Sequence, residues 1–389
     1  ERLVDPLVGG IHAGSADELS AAALFPLLLA ADQQSGSLMR RLRRAQSAVD
    51  PSSPVFLTLR SSTASLAERL AASVRTRGVT LRLGTRVDGL ERLATAAGCG
   101  RWRIRIGPPG RGANPEPADR GAAAGNGRGG HLGVDHLDGA GRGVDHIDVD
   151  AVLLAVPATT AGALLSRLAP RAAAILSSVE HASVATLTLA LPPGTLGPRH
   201  GTGFLVPRTS TVDGRPPLVT AATYLDRKWP HLARKDHELV RLSVGRHGDL
   251  RHTELDDDEL VAAATSELAS ILASSGALDP IETRVTRWPD ALPQYAVGHL
   301  LRMAAVRSEV EGLGCVALAG SACSGVGIPA CISSGREAAR RVLGRLGAPV
   351  GQAGPVHSGA VGGPAATRTG SSAAVEPDPT VGPAGNGSL

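Results

Sequence analysis

The sequence predicts an α/β fold of mixed α+β character, in which a strand–turn–helix unit shares the chain with a mainly antiparallel sheet domain and a helical segment. Three observations carry this. A short apolar strand at 316–319, closed by Gly320, leads through a glycine turn into a helix that opens near Pro329. Four apolar runs at 184–191, 203–206, 218–224 and 240–244, separated by turn residues, have the spacing of antiparallel strands. The first 46 residues lack strand alternation and carry helical apolar spacing instead.

Taken in order, Asp17 or Ser20 can cap a segment bearing Leu24, Phe25, Leu27, Leu28 and Leu29, interrupted at Pro26 and followed by Arg40, Arg41, Arg43 and Arg44. That apolar run beside a basic cluster could lie in a membrane interface or pack on a neighbouring pocket. A linker at 51–54 precedes a strand expected over 55–59 and a helix over 66–74. Alternation of Val79, Leu81 and Leu83 predicts a half-buried strand over 79–87. Strands at 102–106 and 149–156 flank a Gly-, Pro- and Ala-rich stretch at 107–147 with few apolar anchors, expected to be a disordered insertion. A helix is expected over 159–178. A second begins at Thr253, with acids Glu254 and Asp256 to Glu259 complementing its dipole. A strand at 281–288 returns the chain to the first unit, and residues beyond 347 read as a disordered tail. The resulting division is 1–54 helical; 55–106, 148–178 and 280–346 a discontinuous ligand domain; 107–147 the insertion; 179–279 the sheet domain; and 347–389 the tail.

Composition narrows the function classes. The chain has 389 residues, 42% of them hydrophobic but only 2% aromatic, so its cores must be built from Leu, Val and Ala. So few aromatic platforms argue against base-stacking nucleic-acid readers, and the arginines are dispersed rather than grouped in a stripe. The net charge of +4 would suit a substrate bearing several carboxylates. Cys99, Cys315, Cys323 and Cys331 form no Cys-x-x-Cys pair, which argues against a zinc site or a disulfide framework. No apolar run approaches the ~18 residues of a membrane span, and a cytoplasmic location is expected. The near-repeat Gly133-Val-Asp-His-Leu-Asp and Gly143-Val-Asp-His-Ile-Asp could bind metal through His136 and His146, but a slipped duplication explains it better, and no metal is expected.

The chemistry concentrates at Gly325-Val-Gly-Ile-Pro. Gly325 and Gly327 can take φ > 0 or let another molecule approach the backbone. Pro329 suits a first helical turn, where its missing N–H costs nothing. Strand, turn and helix aim free N–H groups and a positive helix end at one point, where an anion or a cofactor gaining negative charge would be stabilised. Ile332, Ala339, Val342 and Leu343 can share the helix's buried face. No general base stands out: His181, His231 and His299 are isolated, and no Gly-x-Ser-x-Gly, His-Glu-x-x-His or Walker pattern occurs. Catalytic residues therefore stay unassigned.

Five ordered segments carry a resemblance. Gly325-Val-Gly-Ile-Pro-Ala-Cys-Ile with Ser334-Gly-Arg-Glu-Ala-Ala resembles the C-terminal flavin motif of the protoporphyrinogen/coproporphyrinogen III oxidase family, within the flavin amine-oxidase superfamily. Asp5-Pro-Leu-Val-Gly-Gly-Ile-His-Ala-Gly with Glu18-Leu-Ser resembles its DPLxxGVxAG…LS stretch, and His181-Ala-Ser-Val-Ala its YASVA strand. Asp226-Arg-Lys-Trp-Pro-His-Leu resembles SxKWP, and Leu292-Pro-Gln-Tyr-Ala-Val-Gly-His resembles PQYxxGH.

The resemblance implies a Rossmann-like FAD-binding domain, a substrate-binding sheet domain, and an FAD-dependent, oxygen-using oxidation of a porphyrinogen to the porphyrin in haem biosynthesis. It places the cofactor-binding positions at Val87, Trp288, Gly320, Val326, Gly327 and Ile328, and makes Arg227 and Lys228 candidates to pair with substrate propionates. Coproporphyrinogen III and protoporphyrinogen IX both stay open as substrates, as do a homodimer and peripheral membrane contact. The chain starts at Glu1 with no strand carrying Gly-x-Gly-x-x-Gly, the unit that cradles the FAD pyrophosphate in this family. It therefore reads as the C-terminal two-thirds of such an enzyme. Two other readings stand beside this one. One is a chain inactive alone or active only with a complementary polypeptide. The other is a phytoene desaturase-like oxidoreductase, against which the PQYxxGH and KWPHL segments argue.

Overall fold

The computed structural model describes residues 3–32, 37–47, 57–93, 100–107, 145–197, 201–274 and 276–347. Helices α1 (Val4–His12), α2 (Ala21–Leu24), α3 (Pro26–Asp32) and α4 (Leu38–Ser47) form the helical segment. Pro26 separates α2 from α3, because its ring and missing N–H suit a helix start and not an interior. Ser20 takes the N-cap position of α2, but its hydroxyl makes no cap bond; its N–H donates instead to the Tyr295 carbonyl, 2.7 Å away. Helix α5 (Ala64–Arg75) follows.

Two expected strands fall short. Residues 57–59 have no regular structure, and the rest of the 55–59 run lies outside the described residues. The strand expected over 79–87 begins only at Arg86, and Val79 and Leu83 are exposed. Alternation is not sufficient for a strand. It also needs a ladder partner and a packed face, and among the described residues 79–85 have no paired neighbour.

Strands β1 (Arg86–Leu93), β2 (Arg101–Gly107) and β3 (Asp145–Val149) form an antiparallel meander. Trp102 on β2, opposite Arg92 and Val149, is fully buried. Residues 108–144, including His136 and most of the expected insertion, lie outside the described residues. His146 stands on β3 opposite Arg105, and its neighbour Asp148 pairs with Arg103 through both carboxylate oxygens, at 2.7 and 2.8 Å. Among the described residues no cluster of His, Cys, Asp or Glu is placed to hold a metal.

The single strand expected over 149–156 is split by a bend at Asp150, so that β4 (Val152–Leu154) leaves the meander for a different sheet. Helices α6 (Ala158–Leu165) and α7 (Pro170–Ser177) are likewise two, divided before Pro170. Strands β5 (His181–Leu191), β6 (Gly203–Leu205) and β7 (Val219–Tyr224) precede the short helix α8 (Leu225–Lys228). Then come β8 (Glu238–Val244), α9 (Arg251–Glu254), α10 (Asp257–Ile271) and β9 (Glu282–Pro293). The five strands form one antiparallel sheet in the order β6-β7-β8-β5-β9. Helix α10 starts at Asp257 rather than Thr253, because Asp256 and Glu259 make a reciprocal capping box. Its Glu267 carboxylate accepts the N–H groups of Leu218 and Val219, both at 2.8 Å, and so ties the helix to β7.

Helix α11 (His299–Gly312), strand β10 (Val316–Leu318), the single turn α12 (Ser321–Ser324) and α13 (Ile328–Arg345) complete the chain. Strand β10 pairs with β4 in parallel. Alternation along it divides the packing: Val316 and Leu318 join the cluster with Met303, Val306 and Val310 of α11, while Ala317 and Ala319 meet Ala338 and Val342 of α13. A second core joins the five-stranded sheet to Leu260, Ala264 and Leu268 of α10. The buried face of α13 is Ser334, Ala338 and Val342. Ile332 and Leu343, expected on that face, are exposed, because the small facing residues of β10 set the rotation of the helix. Among the described residues no helix is long and apolar enough to cross a membrane.

Candidate functional site: the glycine turn between β10 and α13

The turn is built from small residues because its backbone leaves the range that side chains accept. Gly320, Gly325 and Gly327 have φ of 121°, 127° and 104°, in the region reserved for glycine. Helix α12, one turn long, stands between Gly320 and Gly325. Pro329 occupies the first turn of α13, and Gly327 its N-cap. A Cβ added at Gly320 or Gly327 would meet nothing within 4 Å. These glycines therefore serve the backbone path and leave the space above it open.

The turn is held from three sides. The Gly320 N–H donates to Ser334 Oγ of α13 at 3.1 Å, and the Ala319 N–H donates to the Leu154 carbonyl at 2.9 Å. The Tyr295 hydroxyl donates to the Ser321 carbonyl, and His299 Nε2 meets the Ala322 carbonyl at 2.9 Å. The two rings stack, with centroids 4.3 Å apart. Burial lowers the His299 pKa, so the ring is neutral near pH 7, and burial raises that of Tyr295. His299 therefore ties the start of its helix to α12. Cys323 and Cys331 beside the turn are free thiols, and burial raises the pKa of Cys323. Cys315 is disulfide-bonded, where the cysteine spacing had argued against a disulfide framework. The cavity behind the turn, between α11 and α13, holds about 30 Å³ and fits a water molecule rather than a ligand.

Four of the expected cofactor positions, Gly320, Val326, Gly327 and Ile328, are brought together in this turn. Trp288 lies on the edge strand β9, which packs beside α12, and is 49% exposed. It pairs with Val184 beside a break in register, where Ser183 and Asp290 bond each other and Asp290 takes φ of 46°. Such a bulge re-aims the neighbouring side chains. Val87 stands apart, on β1 opposite Ile106, and is exposed. Arg227 is engaged elsewhere: it donates to the Gly197 carbonyl at 2.9 Å and lies over the Tyr224 ring. Lys228 lies over Trp229. Ser334 was legible only within its motif, since nothing else about a serine inside a helix announces its contact. Position Tyr295 was legible only as part of a motif.

The segment 292–299 also reaches the helical segment. Gln294 Nε2 donates to the His12 carbonyl at 2.9 Å, and Leu19 bridges Ala296. Residues near the expected substrate side and the glycine turn thus hang from one loop.

The model of the family described as flavin containing amine oxidoreductase matches residues 128–343. The chain is 34% identical to the coproporphyrinogen III oxidase of Mycobacterium leprae (strain TN) over 338 residues, covering 87% of this chain and 62% of that protein. Against the coproporphyrinogen III oxidase of Bacillus subtilis (strain 168) the identity is 28% over 351 residues, covering 88% and 64%. A crystal structure from Exiguobacterium sp. 255-15, provisionally assigned as a protoporphyrinogen oxidase, superposes with a TM-score of 0.65 at 29% identity, covering 89% of this chain and 64% of that one. The chain therefore spans less than two-thirds of the length of these relatives. With its turn, flanking helices and more than half its length matched by the family model, the chain belongs to the flavin-containing amine oxidoreductases.

Proposed function

We propose that this chain forms the flavin-ring and substrate side of an FAD-dependent porphyrinogen oxidase that uses oxygen as acceptor. The observation that carries the reading is the glycine turn, with three positive-φ glycines, an 18-residue helix starting above it and open space over Gly320 and Gly327. These residues fit a flavin ring. The backbone can come close, and the first-turn N–H groups of α13 offer fixed dipoles to an electron-rich edge. Bound there, FAD would supply the acceptor for the porphyrinogen's electrons, which oxygen then removes. Val326, Gly327 and Ile328 would hold the ring's electron-rich edge, Gly320 would allow close approach, and Trp288 would cover a ring face and exclude water. Val87 would meet the far end of the cofactor through its backbone. The curated relatives above are coproporphyrinogen III oxidases, so that tetracarboxylate is the substrate we propose, with protoporphyrinogen IX as the comparison.

A second reading has its own observation. Val79 and Leu83 are exposed along a segment without a ladder partner among the described residues, so flavin retention could depend on further polypeptide packing there. One experiment separates the two. The purified chain is incubated with FAD, desalted and examined by visible absorption, then assayed with coproporphyrinogen III for porphyrin fluorescence. A retained, shifted flavin band with turnover supports the first reading. Flavin retained only after fusion to the remaining third of a relative supports the second. A chain that holds no flavin in either form sinks the proposal.

A further inference from the structure

A helix of one turn cannot satisfy its own backbone. Helix α12 spans four residues, and within it the Ser321 carbonyl takes only a long bond from the Gly325 N–H, at 3.4 Å, so its carbonyls draw on donors from elsewhere. Two consecutive ones, Ser321 and Ala322, receive them from a single loop, through the Tyr295 hydroxyl and His299 Nε2. Both donors are almost fully buried, at 2% exposure. A carbonyl can only accept, so His299 must carry its proton on Nε2. Its Nδ1 is then a bare acceptor, buried with no partner among the described residues. An unsatisfied buried nitrogen is costly. Its presence here, with the ring locked against Tyr295 at 4.3 Å, marks a side chain held for the bond that its other nitrogen makes.

We propose that Tyr295 and His299 are positioning residues that fix α12, and through it the Gly320–Gly327 backbone, in the conformation that presents the turn to its ligand. Both act through the carbonyls of α12. The functional consequence rests on the reading that this turn faces a flavin, whereas the structural consequence does not. The loop that carries the pair also holds His12 through Gln294 and Ser20 through the Tyr295 carbonyl. Displacement of the helical segment would therefore be felt at the turn.

Hydrogen exchange of the whole chain, read by mass spectrometry, tests the structural part without any cofactor. His299→Ala should raise exchange across 318–328 by roughly tenfold, the change expected for loss of one buried hydrogen bond. Exchange in β5 should be unchanged. His299→Gln keeps a side-chain N–H donor and should restore protection, and Tyr295→Phe should loosen the same peptides. Cys323, on α12, should alkylate faster in step with exchange. Unchanged exchange at 318–328 in His299→Ala, an equal rise throughout β5, or failure of His299→Gln to restore protection would overturn the proposal. FAD titration of the same variants supplies the second arm: affinity should fall roughly tenfold in His299→Ala and recover in His299→Gln. A wild-type chain that binds no FAD would count against the proposed function and leave the exchange result to decide the clamp.

Discussion

Gly327 and Gly203 are both glycines with positive φ, yet substitution should act on them through different physics. A Cβ at Gly327 would meet nothing within 4 Å, so Gly327→Ala costs only the backbone conformation, about 1–2 kcal/mol. At Gly203 a Cβ would lie 2.1 Å from the Ala222 carbonyl, inside the β6–β7 ladder, and Gly203→Ala must displace a strand. Urea unfolding should therefore show a modest loss for the first and a much larger one for the second. FAD affinity should fall in Gly327→Ala by more than its stability loss explains. Equal stability losses would show that the two backbones are not constrained as described.

At the level of single elements, α10 is the best test of local determination. Its start is set by the reciprocal bonds between Asp256 and Glu259, at 2.8 and 3.0 Å, ahead of three acidic first-turn residues. Asp256→Ala should destabilise the protein by about 1 kcal/mol, seen as a lower urea midpoint with unchanged slope. Asp256→Asn should recover most of it. The parallel pair β10–β4 is the opposite case. Its three-residue strands have little stability of their own and depend on α11 and α13 packing on their two faces.

For the molecule as a whole, buried histidines set the direction of its response to acid. Burial lowers the pKa of His12, His252 and His299 below the ordinary value of 6.5. Below about pH 6.5 the unfolded chain then binds more protons than the folded one. Stability should be fully present above that pH and decline as pH falls through the lowered folded values. Glu267, raised by burial, works in the opposite sense but only as pH falls toward the carboxylate range. Thermal unfolding at pH 7.5 and pH 5.5 should give the lower midpoint at pH 5.5. A higher midpoint there would show that the three rings are not buried neutral.

What the sequence by itself determined is the local grammar. Pro26 interrupts the first helical run, acids gather at the start of the helix near 256, and the glycine turn with Pro329 opens α13. Turn-bounded apolar runs also marked the strands of the antiparallel sheet, of which β6, β7 and β8 pair in chain order. These are short-range matters of φ, missing N–H groups and side-chain alternation, written within a few residues. The tertiary structure decided the rest. The alternating stretch at 79–85 is no strand, because a ladder needs a partner that pattern alone cannot provide. One expected strand became two, because Val149 and Val152 serve different sheets. Ile332 faces outward because small residues on β10 chose Ala338 instead. Tyr295 and His299 reach α12 across 26 and 23 residues of chain. Contacts of that range depend on packing and the geometry of buried donors, and no local pattern encodes them.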